Sequence, residues 1–412
     1  MTICIIGGGA SGCFAAITAK QANPHAHITI YERKNRIGKK LLASGNGRCN
    51  ISNLEAAPSR YYGEDPAFTE AALDLMYPEK TLETFAALGL LCRKEHGGRV
   101  FPHSAQASSV VDVLRHTLHA LGTEVVADAE VTDISRKPEG FVLSYSIGEA
   151  SYTMLHDRAI VCTGGKAAPA LGGGGTGYKL LSSLGHNITR CSPALCQLRA
   201  DTTVCKPLKG IRVSCRVTAY SDSTKLASSD GDVIFTDYGL SGSAILDISH
   251  VLHTHQDARL HLDFMREYSR PSLESILRGR LSLPAFPTLD TFFTGILHKA
   301  VGHAVLRACG FANLAAPAAS LTEADISRLA AKLKKFEIQA HSHNGYEHAQ
   351  VTAGGAATNR FDPRTMQSRL VPGLFAAGEV LDIFGGCGGF NLQWAWSSGY
   401  TAGLHAAKEQ QK

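Results

Sequence analysis

Gly7, Gly9 and Gly12 carry the clearest chemistry in the sequence. Their Gly-x-Gly-x-x-Gly spacing follows directly on Thr2–Ile6, a short β-branched run that reads as a buried parallel strand. Ala10, Ser11 and Gly12 lead into an alanine-rich stretch, Cys13 to Gln21, that reads as a helix broken at Pro24. A glycine turn that opens a helix cradles an anion, because the first N–H groups and the helix dipole both point at it. Gly7 permits the tight turn. Gly9 lets backbone approach a pyrophosphate. Gly12 lets helix and strand pack closely. A second strand, His27–Tyr31, ends at Glu32, 20 residues past Gly12. A carboxylate there accepts hydrogen bonds from ribose hydroxyls and repels a 2′-phosphate. A generic glycine turn beside a solvated Glu explains less, since strand, turn, helix, strand and acid all agree.

FAD is favoured over NAD as the resident nucleotide. There is one such fingerprint, it opens the chain, and further glycine segments suit a flavin cofactor. Thr163-Gly164-Gly165 follows an apolar strand. Gly373-Leu-Phe-Ala-Ala-Gly378-Glu379 resembles a closing motif whose acidic residue, usually Asp, binds the ribityl or pyrophosphate part of FAD. Gly385-Gly-Cys-Gly388-Gly389-Phe390-Asn391-Leu392 opens the last helix. The positive end of that helix would stabilise the negative charge of reduced flavin. Each segment alone is an ordinary turn; their order is what carries the reading. The basic run Arg33 to Lys40 is either a solvated loop or a loop beside cofactor phosphates.

Elements that position these residues can be read by period. Arg33 to Asn53 reads as a long polar loop. Helices are expected after Pro66 and Pro78, and over Ser108–Leu121 with Gly122 ending it. Strands are expected at Glu124–Ala127, Glu130–Arg136, Gly140–Ser146 and Tyr152–Cys162, the second and third as a meander on the sheet. Past Ser192 the pattern changes. Ile211, Val213, Cys215, Val217 and Ala219 alternate as one face of an antiparallel strand; Asp232–Thr236 and Arg259–Phe264 look similar. Pro271 to Phe336 reads as helical, with a capping box at Thr322/Asp325. Leu374–Ala377 is a strand, and Asn391 to Lys408 the final helix. The expected fold is α/β: a Rossmann-like FAD domain of the two-dinucleotide-binding-domain type, with an inserted β-rich plus helical domain. The FAD domain covers 1–191 and 344–412. The insert covers 192–343, β-rich over 192–265 and helical over 266–340.

At 412 residues the chain is too long for one core and fits two or three domains. Its 44% hydrophobic and 19% charged residues exclude a disordered chain. The net charge of +5 comes without a dense basic block, so charge alone gives nucleic-acid binding little support. Eleven Cys, with no Cys-x-x-Cys pair, fit free thiols in a reducing cytosol, and Cys191, Cys196, Cys205 and Cys215 lack metal-ligand spacing. No signal peptide or membrane span is expected. A cytoplasmic flavoprotein with a small-molecule substrate and no metal follows. The oligomeric state stays open.

Five segments give a resemblance to a known family: Gly38-Lys-Lys-Leu-Leu-Ala-Ser-Gly-Asn-Gly-Arg-Cys-Asn-Ile-Ser-Asn53, Gly98-Arg-Val-Phe-Pro102, Ala349-Gln-Val-Thr-Ala-Gly-Gly355, Gly378-Glu-Val-Leu-Asp382 and Gly388-Gly-Phe-Asn-Leu-Gln-Trp-Ala-Trp-Ser-Ser-Gly399. Together they resemble the YhiN/BaiN-like flavoproteins, bacterial NAD(P)/FAD-dependent oxidoreductases, from Met1 to near the C-terminus. The resemblance implies an FAD domain split by an insert. It places Ser44, Asn46, Gly47, Arg48, Cys49 and Asn50 along FAD, Val131 at the adenine through its backbone, and Asp382 and Asn391 near the flavin; Lys40 and Leu41, in the first segment, are further cofactor-binding candidates. The chain departs from the family pattern at Thr176, where relatives often carry Asp, and at Ala356 and Ala357, where a β-branched residue is commoner.

Flavin carries the hydride chemistry itself, so the protein needs at most one proton donor. His103, His341, His343 and Tyr346 are candidates, each also readable as an ordinary polar residue, and no catalytic residue is assigned. Arg48 suits an electrostatic partner for reduced flavin or an anionic substrate. A redox disulfide between Cys49 and Cys387 lacks the usual spacing. Trp394 and Trp396 read as core. The favoured function passes hydride through FAD from NAD(P)H, bound transiently for want of a second fingerprint, to a small organic acceptor. A flavin oxidase or amine oxidase, a tRNA-modifying flavoprotein and a redox sensor without turnover are the alternatives.

Overall fold

The computed structural model describes residues 1–255 and 257–408. It divides into two compact units: Met1–Pro193 together with the segment from Ala349 onward, and Ala194–His348.

The first unit is built on a parallel sheet. Its five strands run in the order Leu374–Ala376, Arg158–Val161, Thr2–Ile6, His27–Tyr31, Glu124–Val126. Each neighbouring pair is parallel. Ile3, Ile5, Ile30, Ile160 and Val161 are fully buried, as a sheet covered on both faces requires. The opening helix, Ala10–Ala22, is buried along most of its length. It packs on the closing helix, Phe390–Ala406, through glycine. A Cβ on Gly399 would overlap the Ser11 carbonyl, and one on Gly403 the Ala15 carbonyl. That four-residue spacing puts both glycines on one helix face, so the two backbones can touch.

Two expectations are corrected here. Tyr152–Cys162 is not one strand. Ala150–His156 completes a three-stranded antiparallel meander with Ala129–Lys137 and Gly140–Ile147, and Arg158–Val161 enters the parallel sheet. Asp157 makes the corner: its carboxylate accepts the Thr2 N–H at 2.6 Å, a bond that ties the corner to the first strand. Arg33 to Asn53 is not wholly loop either. A helix spans Lys39–Ala43, and Ile37 and Leu41 bury their side chains, but one and a half turns are too few to show a period.

The second unit is a closed six-stranded barrel ordered Leu198–Ala200, Gly239–Ser241, Thr224–Phe235, Arg212–Ser221, Ala258–Asp263, Phe336–His343. The last strand pairs with the first to close it. Helices Arg270–Arg280, Lys299–Ala308 and Glu323–Lys334 accompany it. The Thr322/Asp325 capping box forms as read. The helical reading of 266–340 fails at its end: Phe336, Ile338 and Ala340 point inward from a strand, alternating with Glu337, Gln339 and His341.

One buried titrating group sits in the first unit. The His186 ring stacks on Phe361 at 4.4 Å, and its Nε2 lies 2.9 Å from Ser368 Oγ. Burial, aided by Arg360, lowers its pKa from 6.5 to about 4. The unfolded chain therefore takes up a proton below pH 6.5 that the folded chain refuses. The stabilising contribution is complete above pH 6.5, shrinks as pH falls, and is spent near pH 4. On the order of 2 kcal/mol should be lost across that window. Urea unfolding from pH 7 to 4 should show a shallower acid decline in His186→Met than in wild type; parallel declines would contradict this.

Candidate functional site

The glycine turn has the geometry of an anion cradle. Gly7 takes φ +105°, and a Cβ there would lie 2.5 Å from the Cys162 carbonyl oxygen. On Gly12 it would overlap the Gly7 carbonyl. On Gly9 it would meet nothing within 4 Å. So Gly7 and Gly12 are demanded by the protein's own packing, while Gly9 faces open space. No side chain caps the helix that Ala10 and Ser11 open, which leaves its first N–H groups to a ligand. These residues fit a dinucleotide pyrophosphate.

Glu32 stands at the end of the second strand. Its Oε2 accepts the Gly8 N–H and its Oε1 the Lys34 N–H, both at 2.7 Å. The carboxylate is thus pinned beside the turn. Arg33 donates to the carbonyls of Gly172 and Gly173 at 2.8 and 3.0 Å, tying a second glycine run to the strand end. Val131 is buried, and a bulge interrupts its strand between Val131 and Asp133.

Closing-segment residues meet the same region. A Cβ on Gly378, at φ +78°, would lie 2.7 Å from Ser11 Oγ. Glu379 accepts from Lys40 Nζ at 2.8 Å and from the Thr352 N–H at 2.9 Å. Thr352 Oγ1 in turn accepts from the N–H groups of Lys166 and Ala167. Gly165 lies against this knot, where a Cβ would meet Glu379 Oε1 at 2.6 Å. Gly164 takes φ +69° and Thr163 Oγ1 crowds against Gly177. Sequence reasoning missed Thr352; a hydroxyl in a short strand, separated by one residue from Gly354 and Gly355, was its only signal.

Ser44 to Asn50 form a strained loop. Gly45, Asn46, Gly47 and Cys49 all take positive φ, from 55° to 80°. Asn46 and Gly47 are exposed, whereas Leu41 is core. The Cys49 thiol is fully buried and pushed up to about 12 by burial, so it stays protonated. Among the described residues no disulfide joins Cys49 to Cys387. The Arg48 guanidinium pairs with Glu95 and lies 4.0 Å over the Phe101 ring. Asn50 Oδ1 accepts the Val100 N–H at 3.3 Å.

The last helix opens through Gly388 and Gly389, at φ +124° and +104°, and has no side-chain cap over Phe390, Asn391 and Leu392. Asn391 instead turns back, accepting the Gly385 N–H and donating to the Gly385 and Gly386 carbonyls. Asp382 is buried, with Thr189 donating to its Oδ2 at 3.1 Å. Trp394 and Trp396 are core, as read. Thr176 begins a helix after Gly175, and Ala356 is fully buried between Val380 and Asp382 in backbone bonding.

Among the proton-donor candidates, His103 is exposed in the first unit. His341, His343 and Tyr346 belong to the barrel unit, where His341 faces Asp257 at 3.4 Å and His343 Nε2 lies 2.9 Å from the Ser249 carbonyl. Among the described residues no group of three His, Cys, Asp or Glu could hold a metal, and no helix is long and apolar enough to cross a membrane.

Comparison with known proteins supplies the family and the fold. The chain is 37% identical over 408 residues, 98% of each chain, to the 3-dehydro-bile acid delta(4,6)-reductase of Clostridium scindens. It is 28% identical over 412 residues, again 98% of each, to the ribosomal RNA dihydrouridine synthase of Haemophilus influenzae. Among solved structures, the 3-ketosteroid delta1-dehydrogenase of Sterolibacterium denitrificans shares the fold, with a TM-score of 0.51 at 12% identity over 98% of this chain and 99% of that one. The 3-ketosteroid-delta4-(5alpha)-dehydrogenase of Rhodococcus jostii does so at 0.50 and 16%, over 99% and 96%. The model of the HI0933-like protein Rossmann domain matches residues 1–405. The chain therefore belongs to the HI0933-like Rossmann-domain family and is an FAD-dependent oxidoreductase.

Proposed function

We propose that this protein saturates a carbon–carbon double bond conjugated to a carbonyl in a small organic molecule, drawing its electrons from NADH or NADPH bound transiently. The observation that carries the reading is the uncapped, glycine-opened start of the 17-residue helix Phe390–Ala406. Its free N–H groups and positive dipole end favour an electron-rich ring edge beside it. The cofactor contacts argued above, at Gly7–Gly12, Glu32, Lys40, Glu379 and Ser44–Asn50, belong to the same reading.

Two curated relatives support the choice of acceptor. One is named for reducing the delta(4,6) positions of a 3-dehydro acid, the other for making dihydrouridine. Both names describe saturation of a double bond conjugated to a carbonyl. Once reduced by the nicotinamide, a bound flavin would supply a hydride equivalent for the carbon β to that carbonyl, and a solvent proton would complete the α carbon. The chain's part is to orient the two partners and keep the reacting atoms in contact.

A small molecule is favoured over RNA by charge. Residues 194–348 hold 17 Lys and Arg against 15 Asp and Glu. At least ten of those cations are already in ion pairs, among them Arg212 with Asp232 and Arg216 with Asp230. Paired cations release few counterions from a polyanion.

Anaerobic titration with each nicotinamide tests the reading. One nucleotide should bleach the flavin bands, and a 3-oxo-4-ene steroid should restore them. Bands that no nicotinamide bleaches, or that oxygen restores faster than any enone with stoichiometric peroxide, would leave the oxidase alternative.

A further inference from the structure

A three-stranded antiparallel sheet of the first unit, Ser52–Asn53, Arg99–Pro102 and Cys92–Lys94, has one cationic face. Register puts Arg93 opposite Phe101 and Asn53 opposite Arg99. Residues two apart on a strand share a face, so Arg93, Asn53, Arg99 and Phe101 stand together. Arg48 joins them over the Phe101 ring. Of these three guanidinium groups, those of Arg48 and Arg93 share one carboxylate. Glu95 pairs with Arg48 and, at 2.9 Å, with Arg93. Arg99 is exposed and has no ion pair among the described residues.

This face adjoins the start of the last helix. Asn53 Nδ2 donates to the Gly388 carbonyl at 2.9 Å and to that of Gly97 at 3.1 Å. The Arg99 side chain runs beside Gly388, its Cγ 4.0 Å from where a Cβ would stand. The surplus positive charge lies next to the segment argued to meet the flavin, not next to the Gly7–Gly12 turn that would take the cofactor's phosphates.

We propose that Arg99 and Arg93, with Arg48 behind them, recognise a carboxylate on the substrate and so set both its class and its orientation. This rests on the double-bond reductase reading. The chemistry is specific: a guanidinium matches a planar oxyanion in bidentate fashion, and stacking on Phe101 and pairing with Glu95 orient Arg48. Glu95 neutralises one of the three cations and aligns two of them. The patch is compact, one sheet face wide, which fits a single carboxylate and not the extended track of a nucleic-acid backbone.

The test uses the FAD-loaded enzyme and two 3-oxo-4-ene steroids that differ only in a side-chain carboxylate or its methyl ester. In Arg99→Gln the KM for the acid should rise about tenfold to a hundredfold, the range for losing a charge-assisted bond. Arg93→Gln should show the same direction. The KM for the ester, and the rate of flavin bleaching by the nicotinamide, should not move. Acid and ester shifting together, or an unmoved acid in both variants, would overturn the proposal. If wild type reduces neither steroid, the reductase reading fails and binding decides this one separately. The saturated steroid acid should then perturb the flavin spectrum of wild type but not of Arg99→Gln; no perturbation in wild type would overturn it. A uridine-containing RNA whose binding alone depends on Arg99 would overturn it in favour of a phosphate backbone.

Discussion

Gly9→Ala should fold and lose FAD, whereas Gly12→Ala should fail to fold as a flavoprotein at all. The two glycines stand three residues apart in one motif, yet their surroundings differ completely. A methyl group on Gly12 would overlap the Gly7 carbonyl and sit 3.4 Å from Cys162 Cβ, so the opening helix would have to leave the first strand. Backbone cannot yield as a side chain can, and the cost should reach or exceed the roughly 3 kcal/mol upper end of usual overpacking. Gly9 has φ −80° and ψ −167°, an extended conformation open to any residue, and nothing near its missing Cβ. Alanine there costs the fold about 1 kcal/mol or less as a poorer helix cap. Its methyl would stand where the pyrophosphate must approach the helix N–H groups. Weakening two charge-assisted bonds should lower FAD affinity about a hundredfold. Flavin absorbance after purification, FAD titration of the apoprotein and its thermal melt separate the cases. Wild-type FAD affinity in Gly9→Ala would remove the anion-cradle reading of the turn.

What could be read from the sequence was local. Thr2 to Glu32 is one contiguous βαβ unit, and every signal in it lies within a few residues of its neighbour. The same holds for the helix after Pro78, the Gly122 stop and the Thr322 capping box. What escaped was long-range. The Asp157 corner exists because Thr2 offers its N–H from 155 residues away, and no local pattern announces that. Barrel closure joins Leu198–Ala200 to Phe336–His343 across more than a hundred residues. The alternation of the last strand was visible at Phe336, Ile338 and Ala340, but it follows a helix so directly that the helical period ran over it. Gly399 and Gly403 could have been read too. Two glycines four apart cost a helix about 1 kcal/mol each, which asks for a close partner in return, and Ser11 and Ala15 are that partner. In the site, each glycine motif was legible as a motif, while the Lys40–Glu379–Thr352 knot that joins three of them was not.

Glu32→Gln should be nearly as damaging as Glu32→Ala, although glutamine has the same shape. A carboxylate offers two oxygens and about four acceptor positions. Two are taken by the backbone N–H groups of Gly8 and Lys34, one on each oxygen. The remaining two are free for a pair of ribose hydroxyls. Glutamine keeps one oxygen and puts an NH2 where the other stood. Whichever way the amide turns, a donor faces a donor at Gly8 or at Lys34. That leaves a part-buried N–H unsatisfied, at about 1–3 kcal/mol, and halves the acceptors left to the ribose. Alanine strips both backbone partners but adds no opposing donor. Both variants should therefore melt lower than wild type as apoprotein and bind FAD about a hundredfold more weakly, with the glutamine variant gaining little from its shape. Calorimetric FAD titration beside apoprotein melts reads both effects. If Glu32→Gln bound FAD as wild type does, the carboxylate would be a structural clamp for the Gly8 turn alone, and the ribose would have to be held from elsewhere.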